Sequence, residues 1–408
     1  MLTDHCCYMS KFTENMHFLF LVEAELKFFF FATLHLLNFA MSIIFPKSKN
    51  IWLYGEWFGE KACDNSYYAF CAEPSRNIRK IWITKSPPIE DYIVRQGREC
   101  YHAYSIKGLY FQARAGVFFC SVNSKDFCFS SLTPRATLFQ MWHGLPLKKI
   151  GFDVEGREGL RRVVDRFRSI TTDKYSYVLS PSKDFDDYFS SAFKIRKDQI
   201  VRSLYPRCDG LRTASMSRAD FSEALNIPHD AKIAFYLPTH RNEGANPSQI
   251  KGLINEIKSI APLAYKFDLY LIVKPHFYDA NNFVSERFGN IIVTEELPLD
   301  LYSSLSFSDF IVTDYSSVAL DYMVTDRPLF IYAPDMDEYE RNDRPGYMKY
   351  SSVMGFANRD IQELEKQIED YLLFGRTPQK LPFDFPKLTN GAISNEFQII
   401  AETIVYGG

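Results

Sequence analysis

Short apolar runs of strand length recur along this chain with helix-length stretches between them, and they do so in two separate series. The first series is Asn50–Gly55, Ile81–Thr84, Phe118–Val122, Thr137–Trp142 and Tyr177–Ser180. The second is Lys232–Leu237, Leu269–Val273, Ile291–Val293, Asp309–Val312 and Pro328–Tyr332. A run that is apolar throughout, rather than alternating, suits a strand covered on both faces, as in a parallel sheet flanked by helices. The pattern predicts an α/β chain with two Rossmann-like domains. The chain changes character around Arg207–Gly210, so the expected domains are 50–212 and 213–408, preceded by an N-terminal segment, 1–49. Helices are expected over Ser66–Glu73, over the polar stretch Thr213–Asp220 that opens the second half, and over Asn395–Val405.

Composition narrows the class. A chain of 408 residues exceeds what one core usually supports, and 46% hydrophobic with 16% aromatic content excludes disorder. The net charge of −3 offers no global attraction to nucleic acid, and none is expected as a partner. Eight cysteines stand at 6, 7, 63, 71, 100, 120, 128 and 208 without a Cys–x–x–Cys pair, which suits a reducing compartment and neither zinc nor a disulfide framework.

Phe28–Phe45 is an apolar run followed by Pro46–Lys47–Ser48–Lys49. Its polar residues are Thr33, His35, Asn38 and Ser42; the last three are spaced three and four apart, so on a helix they form one narrow stripe. The expectation is a hydrophobic helix docked in the membrane interface, with a buried globular helix and a true span as the other readings. No basic n-region or small-residue cleavage site marks a signal peptide.

Five segments carry candidate chemistry. Gln140–Lys148 sets His143 between a tryptophan and a Gly–x–Pro turn, suited to a general base held at a strand end; a core histidine is the plain alternative. Leu271–His276 ends an apolar run on Lys–Pro–His, and Phe307–Ser317 ends another on Thr313, Asp314, Ser316 and Ser317. A helix starting near Ser316 or Ser317 would present backbone N–H groups and hydroxyls to an anion, unless Ser317 is only an N-cap. Asp321, further along that helix, could accept from ribose hydroxyls. Tyr205–Asp209 and Pro238–Arg241 each set an arginine beside a proline, with an Arg207–Asp209 salt bridge as the plain reading of the first.

Taken in chain order, the five segments resemble the CDP-glycerol glycerophosphotransferase family, the teichoic-acid and capsule polyol-phosphate polymerases, over about Asn50–Phe385. The resemblance implies a glycosyltransferase-B arrangement, two Rossmann-like domains facing a cleft, with the acceptor on the first and the nucleotide donor on the second. It implies attack of an acceptor hydroxyl on the β-phosphorus of CDP-glycerol, with release of CMP. His143 would be the base, and His276, Lys274, Arg207 and Arg241 would meet phosphate oxygens. Thr313, Asp314, Ser316, Ser317 and Asp321 would hold the donor, and Gly144, Asp64, Asn65 and Lys148 would complete the acceptor side. Leu145, Leu204, His240 and Phe277 depart from the family's usual threonine, glycine, tryptophan and proline.

The expected partners are a CDP-polyol donor, a polymer or lipid-linked acceptor, and a membrane surface; the expected location is the cytoplasmic face of the cell membrane, peripherally. No cofactor is expected to be required. The pairs Asp184–Asp186 and Asp335–Asp337 leave a divalent metal open. Arg157, Arg161, Arg162, Arg166 and Arg168 form a basic stretch readable as a solvated helix face or as a contact to anionic lipid or polymer. A nucleotide-sugar transferase and a non-catalytic nucleotide-binding subunit are the competing functions, and retention of both His143 and His276 speaks against the second.

Overall fold

Seven parallel strands form the first sheet: β1 Ser48–Tyr54, β2 Arg79–Thr84, β3 Cys100–His102, β4 Ala115–Cys120, β5 Thr137–Gln140, β6 Tyr177–Ser180 and β7 Ile200–Arg202, in the order β3-β2-β1-β4-β5-β6-β7. Six more form the second: β8 Lys232–Leu237, β9 Leu269–Val273, β10 Glu286–Phe288, β11 Ile291–Val293, β12 Phe310–Thr313 and β13 Leu329–Ile331, in the order β10-β11-β9-β8-β12-β13. All neighbours in it are parallel except the β10–β11 pair. The computed structural model describes residues 33–34, 36–127, 133, 135–154, 174–241, 248–276, 283–342, 345–386 and 391–407.

The first sheet is held across its strands by aromatic rings. Tyr54, Phe119, Phe139 and Tyr177, on β1, β4, β5 and β6, stack in sequence with centroids 4.6, 4.8 and 5.2 Å apart. Such pairs add about 0.5–1.5 kcal/mol each beyond the area they bury. Phe397, from the last helix Ile393–Tyr406, meets Phe119 and Phe139 edge-on at 6.0 and 6.3 Å. That helix also sets the Tyr406 hydroxyl on the Lys49 carbonyl at 2.8 Å and Glu402 on the Ser75 amide at 2.9 Å. The final helix, expected within 213–408, therefore packs on the first sheet, because its aromatic and acidic residues are complementary there.

Other expectations need correction. The polar stretch Thr213–Asp220 is helical only from Arg218, in a helix running to Ala224 that Ser217 caps through the Asp220 amide. The short strands β3, β7 and β10 have no strong apolar run and were not expected. Of the hydrophobic helix expected over Phe28–Phe45, residues 28–32 and 35 lie outside the described residues, and a helix covers 36–44. Of its polar stripe, Asn38 and Ser42 are buried, while Leu36, Leu37, Phe39, Ile43 and Ile44 are exposed. No described helix is long and apolar enough to cross a membrane.

Candidate active site

The carboxyl ends of β1, β5, β8, β9 and β12 converge on one cleft of about 410 Å³ between the two sheets, the place where open parallel sheets bind ligands. Trp57, Lys61, Asp64, His143 and Arg207 line it from the first sheet's side; Lys274, His276, Asp300, Tyr302, Ser316 and Ser317 line it from the second's.

His143 follows β5 on a loop whose backbone is tightly specified. Trp142 donates its amide to Gln140 Oε1 at 2.9 Å, and its carbonyl accepts from Asn65 Nδ2 at 2.8 Å. Trp142 has φ +52°, an uncommon left-handed conformation for a bulky residue. Gly144 has φ +132°, and a Cβ there would sit 2.5 Å from Ser317 Oγ and 3.1 Å from Arg207 Nη2, so only glycine lets this loop come so close to the facing wall. The imidazole lies between Trp57 and Trp142, with centroids 5.0 and 4.1 Å away. Its Nδ1 is 3.1 Å from the Ser121 carbonyl. A carbonyl only accepts, so that contact assigns the proton to Nδ1 and leaves the lone pair on Nε2, the tautomer a general base needs.

Arg207 is placed differently from the expectation. It does not pair with Asp209, whose carboxylate caps the last helix through the Ile393 and Ser394 amides at 2.7 and 2.9 Å. Instead its guanidinium joins the two sheets. Nη1 donates to Asp64 Oδ1 at 2.9 Å and to the His143 carbonyl at 3.1 Å, and Nη2 donates to Asp321 Oδ2 at 2.5 Å. Tyr302 donates to the same Asp321 oxygen at 2.5 Å. Burial works against the cation, but Asp321 and Asp64 outweigh it and hold the pKa well above the usual guanidinium value. Asp321 is thus a buried counter-ion, 2% exposed, rather than an open ribose acceptor.

Asp64 also caps the helix Asn65–Cys71 through the Asn65 amide and takes the Trp57 indole N–H at 2.9 Å. Asn65 is fully buried, joining the Trp142 carbonyl to the Arg207 amide at 3.3 Å. Both act by holding the His143 loop, and Asp64 also reaches the cleft wall.

On the facing wall, Lys274 lines the cleft and donates to the Glu295 carbonyl at 2.6 Å. His276 stands beside His240, ring centroids 5.8 Å apart. Burial first, then His240, Lys61, Lys274 and Lys148, push its pKa down to about 4, so it is neutral at pH 7 and offers one N–H donor. Ser316 and Ser317 reach the cleft; Ser317 precedes the short helix Val318–Tyr322 without a side-chain cap bond, so capping does not consume its hydroxyl. Thr313 and Asp314 do not line the cleft. They are buried, Thr313 on the Leu237 carbonyl at 2.6 Å and Asp314 on the Thr239 and Tyr315 amides at 2.9 and 2.7 Å. Arg241, expected on phosphate, is absorbed by Asp314 and Asp335, each at 2.9 Å. Lys148 is likewise outside the lining: its residue pairs with Gly346, and its ammonium lies 4.7 Å over the Tyr339 ring.

Sequence reasoning missed Trp57, Lys61, Asp300 and Tyr302. Lys61 is held with its ammonium 4.8 Å over the Trp57 ring. Asp300 caps the helix Leu301–Leu305 and accepts from Tyr68 at 3.1 Å across the junction. Glu56, also missed, is fully buried and accepts the Asp64 and Tyr67 amides at 2.9 and 3.2 Å, shaping the loop that carries Trp57 and Lys61. Nothing in the spacing of these residues along the sequence announced a site.

In each acidic pair an arginine engages one carboxylate. Both Asp186 oxygens take Arg202 Nη2 at 2.6 Å, and Asp335 takes Arg241 and the Tyr315 hydroxyl, the latter at 2.8 Å. Among the described residues no group of three or more His, Cys, Asp or Glu side chains is arranged to hold a metal ion. The basic stretch Arg157–Arg168 and Phe277 lie outside the described residues.

A family model described as CDP-Glycerol:Poly(glycerophosphate) glycerophosphotransferase matches residues 37–375. The chain belongs to that family. It is an enzyme of the teichoic acid glycerophosphotransferase kind. The teichoic acid glycerol-phosphate transferase of Staphylococcus aureus (strain NCTC 8325 / PS 47) is 30% identical over 326 residues, 75% of this chain and 80% of that protein. The teichoic acid poly(glycerol phosphate) polymerase of Bacillus subtilis (strain 168) is 24% identical, covering 85% of this chain but 47% of the polymerase. The chain thus spans about half the length of the curated polymerases of Staphylococcus epidermidis and Bacillus subtilis that it matches. Its fold is shared with the structure of the wall teichoic acid polymerase TagF, at TM-score 0.67 and 22% identity over 88% of this chain and 90% of that one. A variant of TagF soaked with CDPG aligns at 0.65.

The family departures fall into two groups. Leu145 and Leu204 are buried in the core and do not touch the cleft, whereas His240 stands next to His276 and changes the charge around it.

Proposed function

We propose that the protein transfers glycerol phosphate from CDP-glycerol, or a related CDP-polyol, to a hydroxyl of a growing cell-surface polymer or its lipid-linked primer. The observation that carries this reading is one cleft with the His143 Nε2 lone pair on one wall and Lys274, His276, Ser316 and Ser317 on the other, with Lys61 nearby. The acceptor oxygen attacks the β-phosphorus and its proton passes to His143 Nε2. The bond from the β-phosphorus to the bridging oxygen breaks, and CMP leaves with the electron pair. Phosphoryl transfer depends mostly on positioning and charge, which matches a cleft that sets Lys274 and Lys61 beside a neutral His276 and serine hydroxyls. The first unit would present the acceptor and the second the donor. We propose no required cofactor.

Purified protein is expected to release CMP from CDP-glycerol, or failing that from CDP-ribitol, in the presence of a phosphorylated acceptor, and to leave UDP-sugars intact. Turnover of a UDP-sugar alone would leave the fold assignment standing and remove the phosphotransferase one.

We also propose peripheral attachment to the cytoplasmic face of the cell membrane through the helix 36–44. Five exposed apolar side chains on nine residues form an outward face suited to an interface, and Arg135 Nη1 ties the helix to the first unit through the Ile43 carbonyl at 3.0 Å. Full-length protein should co-sediment with anionic vesicles, and Leu36→Glu with Ile44→Glu should abolish that while leaving soluble turnover within about 2-fold. Unchanged sedimentation of the double variant would place the membrane contact elsewhere.

A further inference from the structure

The loop that carries His143 belongs to the first sheet, yet it is fastened to a segment that follows the second. The amide of Lys149 donates to the Pro345 carbonyl at 2.9 Å, and the amide of Tyr347 donates to the Leu147 carbonyl at 3.0 Å, so Lys148 and Gly346 pair as a short antiparallel bridge. A Cβ at Gly346 would stand 2.6 Å from the Met348 carbonyl oxygen and 3.2 Å from that of Leu147, which makes this approach dependent on glycine. Tyr347 then reaches into the first unit. Its ring stacks on Tyr188 at 4.3 Å and 12°, and its hydroxyl donates to Asp153 Oδ2 at 2.7 Å and accepts from the Ile150 amide at 3.3 Å. A second tie runs beside it: Lys148 lies over Tyr339, which stacks at 3.8 Å on Tyr315, the residue before Ser316.

We propose that Tyr347 is a positioning residue for the transfer, acting through His143 by locking the base-bearing loop to the donor-side unit. The base and the donor phosphates stand on different sheets, so their separation is set by non-covalent ties across the cleft. An error of about 1 Å between reacting groups costs on the order of 100-fold in rate. Tyr347 joins three consecutive supports at that seam, the ring stack, the Asp153 hydrogen bond and the backbone bridge, and it touches none of the cleft-lining residues in doing so. This inference rests on the reading of His143 as the base.

The test compares Tyr347→Ala and Tyr347→Phe in the wild-type chain and in a His143→Ala background, with kcat from CMP release, CDP-glycerol affinity by calorimetry without acceptor, and the unfolding midpoint. Tyr347→Ala is expected to lower kcat about 10- to 100-fold with donor affinity within about 3-fold, and Tyr347→Phe, which keeps the stack, to lose less than about 5-fold. In the His143→Ala background the further loss from Tyr347→Ala should shrink below about 3-fold, because residues acting as one unit are not additive. Equal losses in both backgrounds, or a wild-type kcat in Tyr347→Ala, overturn the proposal. Asp153→Asn, which leaves the ring in place, repeats the comparison if the alanine variant does not fold, with an expected loss of about 3- to 10-fold that also vanishes without His143. Full activity of His143→Ala itself would instead remove the base assignment and, with it, this inference.

Discussion

Replacing His143 with alanine is expected to lower CMP release about 1,000-fold while CDP-glycerol binds within a few-fold of wild type. The imidazole is seated between Trp57 and Trp142, and its Nδ1 contact with the Ser121 carbonyl places the proton there and the lone pair on Nε2, the nitrogen that would take the acceptor's proton. A base works only as the acceptor proton moves, so its loss is felt in turnover rather than in donor affinity. His276→Ala should behave differently, weakening donor binding and rate together, because a phosphate contact exists in both the bound state and the transition state. Single-turnover rates beside calorimetric affinities separate the two patterns. A His143→Ala enzyme that keeps its rate, or loses only affinity, would remove the base assignment.

Arg207→Met is expected to destabilise the fold by about 3–5 kcal/mol, the cost of leaving buried carboxylates without their partner. Asp64 and Asp321 are 4% and 2% exposed, and the guanidinium serves both at once. Burial, the largest influence on Asp321, already raises its carboxyl pKa, and removal of the cation takes away a donor and leaves the Tyr302 hydroxyl on that carboxylate. Adding Asp321→Asn to Arg207→Met should recover part of the loss, since one unpaired charge disappears. Denaturant midpoints at neutral pH check this. An unchanged midpoint combined with lost donor binding would mean that the guanidinium serves the ligand and not the junction.

The two arginines show where sequence reasoning ran short. Both stand beside prolines in motif-like settings, and both read as phosphate ligands. Arg241 is taken up by Asp314 and Asp335, which lie 73 and 94 residues away in sequence, and Arg207 by Asp64 and Asp321, 143 and 114 residues away. A buried guanidinium needs counter-charges, but nothing local says which distant carboxylates will supply them. The same applies to Trp57, Lys61 and Tyr302, whose roles come from where β1 and the helix Leu301–Leu305 end in space. The spacing of Asn38 and Ser42 was legible in the sequence; that these two would be buried while the apolar residues around them are exposed was not.

Apolar strand runs are local signals, because a strand buried on both faces must be apolar along its own length, and so the sequence alone determined two largely parallel sheets and placed His143, Lys274, His276, Ser316 and Ser317 at strand ends. Strand ends of parallel sheets gather on one side, which is why these five residues share the cleft. The tertiary structure alone decided what faces what across it. The return of the helix Ile393–Tyr406 to the first sheet, the Arg207 junction and the Tyr347 bridge are contacts between segments more than 100 residues apart, set by packing and charge pairing between surfaces that exist only once both sheets have formed.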